Sequence, residues 1–214
     1  MRHVVLVRHG ESELNALNRL QRVYCGQIET PLTARGRQQA LAAAEWVRGL
    51  TFLRLKRAIS SPLARAAETL RIMVGTLASD IELLAPAAEL MERSHGRFEG
   101  CSEEQVFADF PHYRDDPNYC QFMNHFEQHA PGGENLTTVT RRAWPVIEAL
   151  AQSDGGGDLL VVSHYNTIRC VVGRALDLPP EAVLQMRIPN ARPIVLRFSP
   201  HCELIEGREI LDAA

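Results

Sequence analysis

The residues best suited to catalysis lie near the start of the chain, in the sequence His3-Val-Val-Leu-Val-Arg-His-Gly-Glu-Ser-Glu-Leu-Asn15. A neutral histidine keeps a lone pair on one ring nitrogen, so His9 beside the fixed cation of Arg8 can attack an electrophile. The planar donors of Arg8 match the oxygens of a phosphate group. This pair therefore indicates nucleophilic attack on phosphorus. The alternative is a strand end that carries two solvated polar residues.

A short buried strand must position these two residues. Val4 to Val7 form an uninterrupted apolar run of mostly β-branched residues, which is typical of a strand buried on both faces of a parallel sheet. Gly10 permits a tight turn directly after it. Ligands of open α/β sheets bind at the carboxyl ends of the strands, so Arg8 and His9 stand where a ligand site is expected.

Three further polar motifs follow along the chain. Ser60-Ser-Pro-Leu-Ala-Arg-Ala-Ala-Glu-Thr69 follows a second apolar strand, Ser163-His-Tyr-Asn-Thr-Ile-Arg169 follows a third, and Glu92-Arg-Ser-His-Gly-Arg-Phe-Glu-Gly100 lies between them. Together with Arg-His-Gly-Glu-Ser, these motifs and their order resemble the histidine phosphatase superfamily, also called the phosphoglycerate-mutase-like family. The resemblance extends over roughly residues 3–200.

Alternating strand and helix patterns predict one α/β domain over residues 1–214. The resemblance implies a three-layer α/β/α fold, with a mostly parallel sheet, helices on both faces and a helical cover insertion at about 101–134. The hydrophobic pattern predicts strands at 57–60, 158–162, 192–198 and 201–206, the last two as a pair at the sheet edge. It predicts helices at 33–50, from 61 onward, at 135–151, at 167–176 and at 181–186. Pro145 should kink or break the third of these helices.

The resemblance assigns roles to the site residues. His9 is the nucleophile that forms a phosphohistidine, while Arg8, Arg65 and His164 hold the phosphoryl oxygens as cations. Glu92 is the general acid, which protonates the leaving alkoxide and then activates water. Residue-level alternatives are a solvated Arg65 and a simple surface charge at Glu92.

The resemblance also implies that three further residues contact the phosphate or the substrate, namely Asn15, Gln27 and Tyr165. Tyr165 departs from the family pattern, which usually has glycine directly after His164. Its ring either crowds the phosphate pocket or turns toward the leaving group. The histidines His95 and His112 are expected on the substrate side, and His3 and His201 are expected to be structural or exposed.

No metal or other cofactor is expected, because histidine supplies the nucleophile and arginine the charge. His125 and His129 have the four-residue spacing of zinc ligands on a helix, but a third ligand and an HExxH motif are absent. Five scattered cysteines without CxxC spacing favour reduced thiols and a cytoplasmic location. A net charge of −3 gives no basic field for nucleic acid or an anionic membrane, and no apolar run approaches a membrane span.

Three functions remain open. A phosphatase acting on small phosphate monoesters is favoured, because Pro31-Leu-Thr33 and Arg97-Phe-Glu-Gly100 resemble the broad-specificity phosphatases of the family. The alternative is a phosphoglycerate mutase dependent on 2,3-bisphosphoglycerate, since residues 8–19 look mutase-like, although only Arg114 stands where mutases carry paired arginines. The third is a non-catalytic phospholigand-binding module in which Tyr165 blocks turnover. A homodimer through an edge strand is also open.

Overall fold

Six strands form one central sheet in the order β3-β2-β4-β1-β5-β6. The structure is a computed structural model that describes residues 2–77, 80–116, 119, 125–153, 156–198 and 202–211. Its strands are β1 (Arg2–Arg8), β2 (Leu55–Ser60), β3 (Glu82–Leu83), β4 (Asp158–Ser163), β5 (Pro193–Phe198) and β6 (Glu203–Glu206). This order places β2, β4 and β1, the strands that precede three of the polar motifs, side by side.

The sheet is mostly parallel, as predicted. Parallel pairing joins β1 to β4, β4 to β2 and β2 to β3, whereas β5 and β6 pair antiparallel. The prediction that the last two strands form a pair at the sheet edge is confirmed, with β6 outermost. β5 pairs with β1 on one side and with β6 on the other. Its residues Ile194 to Leu196 are all buried, as the continuous apolar run of an inner strand requires.

Helices cover both faces of the sheet, which confirms the three-layer fold. Val4 and Leu6 of β1 pack in one core with α5, α6 and α7, and Val5 and Val7 pack in another with α2 and α3. Successive side chains of a strand point to opposite faces, so two helical layers explain the fully apolar run. The described helices are α1 (Glu13–Leu17), α2 (Ala34–Arg48), α3 (Ala64–Leu77), α4 (Glu103–Asp109), α5 (Leu136–Gln152), α6 (Tyr165–Ala175) and α7 (Pro180–Gln185). None of the helices in the described ranges is long and apolar enough to cross a membrane.

The two long helices α2 and α5 begin at the predicted residues. The side chain of Thr33 accepts from the N–H of Gly36 at 2.9 Å, and that of Asn135 accepts from the N–H of Thr138 at 2.8 Å. Each bond satisfies a donor that the first helical turn leaves unpaired. Pro145 does not break α5, which continues through it as one helix. Pro145 is exposed, so its helix turn can be solvated where the backbone hydrogen bond is lost.

The predicted cover is only partly helical. α4 and a 3₁₀ turn at Pro111–Tyr113 carry aromatic side chains that pack against Tyr24 and Phe98. Residues 117, 118 and 120–124 lie outside the described residues. The described part of the cover from residue 125 to 134 contains no helix.

His125 and His129 therefore do not share a helix face. Nδ1 of His125 accepts from the backbone N–H groups of Glu127 and Gln128, at 3.1 and 3.0 Å. These bonds close a local turn that competes with helix formation. The four-residue spacing does not indicate a helix here, because spacing alone does not determine secondary structure.

Candidate active site

The strand ends of β1, β2 and β4 bring three motifs together. The backbone N–H of His9 donates to the carbonyl of Ser163 at 3.0 Å, and that of Ser61 donates to the carbonyl of Val162 at 3.1 Å. These bonds continue the parallel ladder one residue beyond the strands. His9, Ser61 and His164 consequently meet at the carboxyl edge of the sheet, where the sequence predicts a ligand site.

A cavity of about 290 Å³ opens at this edge. Most of the predicted site residues line it, namely Arg8, His9, Asn15, Arg65, Glu92 and Tyr165. His164 lies next to it, with its ring centroid 5.1 Å from that of His9. Gln27 is tied to the same region, because its side-chain amide donates to the carbonyl of Glu92 at 2.9 Å.

The hydrogen bonds of His9 determine which ring nitrogen carries a proton. Nδ1 lies 2.7 Å from the carbonyl oxygen of Gly10, which can only accept, so Nδ1 donates. The Nε–H of Arg65 points at Nε2 of His9 from 3.3 Å, which requires a lone pair there. Burial and the neighbouring cations Arg8 and Arg65 lower the pKa of His9 well below its ordinary value. The imidazole is therefore neutral, with Nε2 as its nucleophilic atom.

Arg65 is held at both ends of its guanidinium. Besides the contact with His9, Nη1 donates to the carbonyl of Ile28 at 2.7 Å and Nη2 to that of Gly26 at 2.9 Å. Arg65 is buried with Ala66, Thr69, Leu70 and Met73 on one face of α3. The alternative of a solvated Arg65 is therefore wrong, because the side chain lies on the buried face of α3. The buried face of α3 contributes Arg65 to the site at its first turn and packs in the core along the rest of the helix.

Arg8 directly precedes His9, and its side chain makes one hydrogen bond to the backbone. Its Nη1 donates to the carbonyl of Ile188 at 2.8 Å, and its Nε has no hydrogen-bond partner among the described residues. The Tyr165 ring lies 5.2 Å from the Arg8 guanidinium carbon. Part of the donor set of Arg8 thus remains available to an anion.

His164 is buried and neutral, which corrects its predicted role as a cation. Its Nε2 lies 2.8 Å from the hydroxyl of Ser61, and its Nδ1 has no hydrogen-bond partner in the described part of the chain. Burial lowers the pKa of His164 well below its ordinary value, and His9, Arg65 and Arg8 lower it further. In this state His164 can act as a neutral hydrogen-bond donor.

Two backbone amides hold the Glu92 carboxylate. Oε1 accepts from the N–H of Arg93 at 2.8 Å and from that of Asn166, near the amino end of α6, at 3.1 Å. A carboxylate at a helix amino terminus is favoured by the exposed N–H groups of the first turn. The side chain lines the cavity with His9, so it can exchange protons with a ligand bound there.

The chain segment that carries Glu92 is clamped by residues that the sequence interpretation missed. Arg142 on α5 donates to the carbonyl groups of Met91 at 2.9 Å and of Glu92 at 3.1 Å, and it forms a two-point ion pair with Glu134. Thr167 donates to the carbonyl of Met91 at 2.6 Å. Hydrogen bonds to backbone carbonyls leave no motif in a sequence, so these partners carried no signal.

Asn15 and Asn190 form a second support that the sequence only half revealed. Oδ1 of Asn15 accepts from the N–H of Ser12 at 3.2 Å and from the side-chain amide of Asn190 at 3.1 Å. The same amide nitrogen of Asn190 lies 2.9 Å from the carbonyl oxygen of His9. Because Oδ1 of Asn15 is occupied, the NH₂ group of Asn15 is the one left to donate into the cavity. Asn190 was not among the predicted residues.

Gly10 and Gly36 let α2 approach the His9 turn closely. A methyl group on Gly10 would lie 2.2 Å from the carbonyl oxygen of Gly36, and one on Gly36 would lie 2.1 Å from that of Glu11. Such distances are far shorter than any van der Waals contact, so both positions require glycine. The amino end of α2 is therefore packed directly against the backbone of the first motif.

The far wall of the cavity is aromatic and uncharged. Tyr24 and His95 line it and pack edge to face, with ring centroids 5.5 Å apart. Burial, with a smaller effect of Arg93, lowers the pKa of His95 to about 3, so its ring is neutral. The placement of His95 on the cavity side agrees with the prediction, whereas His112 is exposed and does not line the cavity.

In the described ranges no group of three or more His, Cys, Asp or Glu side chains is arranged to hold a metal ion. His3 pairs with Asp158, at 3.1 Å from Nδ1 to Oδ1. Cys25 lines the cavity, and burial raises the pKa of its thiol. Cys120 and His201 lie outside the described residues.

The chain is similar to known proteins over nearly its full length. A family model described as the histidine phosphatase superfamily (branch 1) matches residues 4–209. The 2,3-bisphosphoglycerate-dependent phosphoglycerate mutase 2 of Gloeobacter violaceus is 29% identical over 215 residues, which cover 94% of this chain and 93% of that protein. The 2,3-bisphosphoglycerate-dependent phosphoglycerate mutase of Brucella anthropi is 28% identical over 215 residues, 99% of each chain.

A solved structure carries a different name. The mycobacterial glucosyl-3-phosphoglycerate phosphatase, in complex with VO3, superimposes with a TM-score of 0.74 at 25% identity and covers 95% of this chain and 97% of its own. The similar proteins thus include both mutases and a phosphatase.

Proposed function

The chain belongs to the histidine phosphatase superfamily, and from this premise we propose that it hydrolyses small phosphate monoesters through a phosphohistidine on His9. The observation that supports the proposal most is the tautomer of His9. Its Nδ1–H is engaged by Gly10, and its Nε2 lone pair faces Arg65 inside the cavity. A neutral imidazole with a fixed lone pair beside two guanidinium groups suits attack on a phosphate dianion.

In the first step Nε2 of His9 bonds to phosphorus while the bond from phosphorus to the leaving oxygen breaks. The carboxyl group of Glu92 gives its proton to that oxygen, and the alcohol departs. Nδ1 keeps its proton, so the phosphohistidine ring is cationic and its charge is stabilised by the carbonyl of Gly10. Arg8 and Arg65 offset the charge on the phosphoryl oxygens in the transition state.

In the second step a water oxygen bonds to phosphorus as the bond from phosphorus to Nε2 breaks. The Glu92 carboxylate takes a proton from that water, which restores the starting state of the enzyme and releases inorganic phosphate. His164 and Asn15 are proposed to donate hydrogen bonds to the phosphoryl oxygens. The scheme requires no metal ion, because side chains supply the nucleophile, the offsetting positive charge and the general acid.

The charges around the cavity favour a phosphatase over a mutase. Among the described residues that line it, the cationic side chains are Arg8 and Arg65, and both are assigned to the phosphoryl group. A phosphoglycerate brings a carboxylate as well, which needs a further cation. The cover residues 117–124 contain no lysine or arginine, and Arg114 is exposed, with its guanidinium carbon 5.5 Å from the centre of the Phe107 ring.

A phosphoglycerate mutase remains the second candidate, because two relatives at 28% and 29% identity carry that name. Its reaction would return the phosphoryl group from His9 to another hydroxyl of the substrate, with 2,3-bisphosphoglycerate as the priming cofactor. The third function, a phospholigand-binding module, would keep the cavity and lack turnover.

A paired assay on the purified protein with a metal chelator separates these functions. One arm measures phosphate release from a panel of monoesters, and the other measures interconversion of 3- and 2-phosphoglycerate in the presence of 2,3-bisphosphoglycerate. We expect release from several esters, lost in His9→Ala. Fast interconversion with little release would make the protein a mutase. Phosphate binding without activity in either arm would make it a binding module.

A further inference from the structure

We propose that Tyr165 is a positioning residue that holds the Arg8 guanidinium ready for the phosphoryl group, an inference that rests on the proposed function. Tyr165 is the first residue of α6 and directly follows His164. A glycine at this position would leave Arg8 without a neighbouring aromatic ring.

The Tyr165 ring lies next to two cations. The guanidinium carbon of Arg8 is 5.2 Å from its centroid and that of Arg169 is 5.3 Å away. Both distances are within the range at which a guanidinium and an aromatic ring attract each other. The ring thus offers Arg8 a stabilising surface that is independent of any ligand.

Tyr165 and Arg8 are also anchored to the same stretch of backbone. The Tyr165 hydroxyl donates to the carbonyl of Met186 at 2.7 Å, and Nη1 of Arg8 donates to the carbonyl of Ile188 at 2.8 Å. The backbone segment after α7 therefore fixes the ring and the guanidinium relative to each other. An arginine that is ordered before binding loses less conformational entropy when it binds an anion.

The competing role is direct contact with the substrate, because Tyr165 also lines the cavity. A direct contact would alter the choice among esters and would be independent of Arg8. A positioning role acts through Arg8 and therefore affects every ligand that resembles the phosphoryl group, including orthovanadate, which has no leaving alcohol.

The experiment is a double-mutant cycle on orthovanadate affinity, measured by inhibition and by calorimetry. We expect Tyr165→Leu to weaken binding about tenfold and Tyr165→Phe, which keeps the ring, about threefold. In an Arg8→Ala background, Tyr165→Leu should cause no further loss. Trp144→Leu is the matched control. It removes another ring that lies over an arginine, with Arg174 at 5.6 Å, but neither residue lines the cavity, so orthovanadate affinity should stay unchanged.

Thermal unfolding must first show that the variants are folded. Unchanged affinity in Tyr165→Leu, or a loss that persists in the Arg8→Ala background, would reject the positioning role. If the wild-type protein bound neither orthovanadate nor inorganic phosphate, the proposed function itself would be overturned.

Discussion

The reactive state of His9 is determined by individual hydrogen bonds to its neighbours. One carbonyl fixes the proton on Nδ1, and one arginine N–H marks the lone pair on Nε2. Asn190 supports this arrangement from behind, because one amide group contacts both the backbone of His9 and the side chain of Asn15. The proposed nucleophile, His9, and the side-chain amide of Asn15, proposed to bind phosphate, are thus positioned before a substrate arrives, which reduces the reorganisation that catalysis requires.

Replacement of Asn190 by aspartate tests this support. An aspartate has no N–H to donate, so its carboxylate would face the carbonyl of His9 and Oδ1 of Asn15 without a proton to share. We expect kcat/KM to fall about 10- to 100-fold, because a displacement of about 1 Å in a positioned group can cause a loss of this size. Asn135→Ala is the control. It removes the N-cap of α5 and should cost about 1 kcal/mol of stability with kcat/KM unchanged. Wild-type activity in Asn190→Asp would show that Asn190 does not position His9 and Asn15.

At the scale of the elements, helices hold the loops that carry the chemistry. The segment before Glu92 is a turn without strand pairing, and α5 and α6 secure it through Arg142 and Thr167. Glu134 completes the clamp, since it binds Arg142 and accepts from the N–H of Ser94 at 2.9 Å. The proposed general acid is therefore held by the helical layer of the fold.

Arg142→Gln should loosen this clamp and misplace Glu92. The loss of kcat should be about 10- to 100-fold for esters of poor leaving alcohols, which need protonation. It should be several times smaller for an activated aryl phosphate, whose leaving group departs without a proton. Arg141→Gln, at the exposed neighbouring position, is the control and should leave both rates unchanged. An equal loss for both classes of ester would show that Arg142 does not act through Glu92.

The contact between α2 and the first motif gives a second test at this scale. Gly36→Ala places a methyl group 2.1 Å from the carbonyl oxygen of Glu11, so α2 must move and the His9 turn with it. We expect a stability loss of about 1 to 3 kcal/mol and a large loss of activity. Gly75→Ala, in α3, meets no atom within 4 Å and should instead stabilise the protein by about 0.5 to 1 kcal/mol. Chemical denaturation measures both, and a harmless Gly36→Ala would contradict the close packing.

At the scale of the whole molecule, three buried histidines couple the fold to pH. Burial lowers the pKa of His9 and His164 well below the ordinary value and that of His95 to about 3. The unfolded chain, with histidine pKa values near 6.5, binds more protons than the folded protein at lower pH. Stability is therefore fully present above about pH 6.5 and decreases as the pH falls below it.

Urea denaturation between about pH 7.5 and pH 5 measures this loss, which should reach up to about 2 kcal/mol for each of the three histidines at pH 5. His95→Gln should reduce the pH dependence by roughly a third of that total. His112→Gln, at an exposed position, should leave it unchanged. A free energy of unfolding that stays constant over this range would mean that these histidines bind protons as readily in the folded protein as in the unfolded chain.

The sequence predicts the layers of the fold and the charged side chains of the cavity lining, because the relevant signals are contiguous. Apolar runs mark β1 and β4, and His9, Arg65 and Glu92 each lie within a recognisable motif. The supports Arg142 and Asn190 were missed, since they bind backbone atoms that any residue supplies. The error in the cover has a similar origin: the absence of a helix at His125 depends on a local turn, which spacing does not encode.

The measurement that tests the central claim most directly is the trapping of a phosphorylated enzyme during turnover of a phosphate monoester. Rapid quenching in alkali, followed by peptide mass spectrometry, should find one phosphoryl group on His9, which acid removes. The His9→Ala variant should carry none and release no phosphate. A wild-type protein that turns over the ester without phosphorylated His9, or that carries the phosphoryl group on another residue, would contradict the phosphohistidine mechanism.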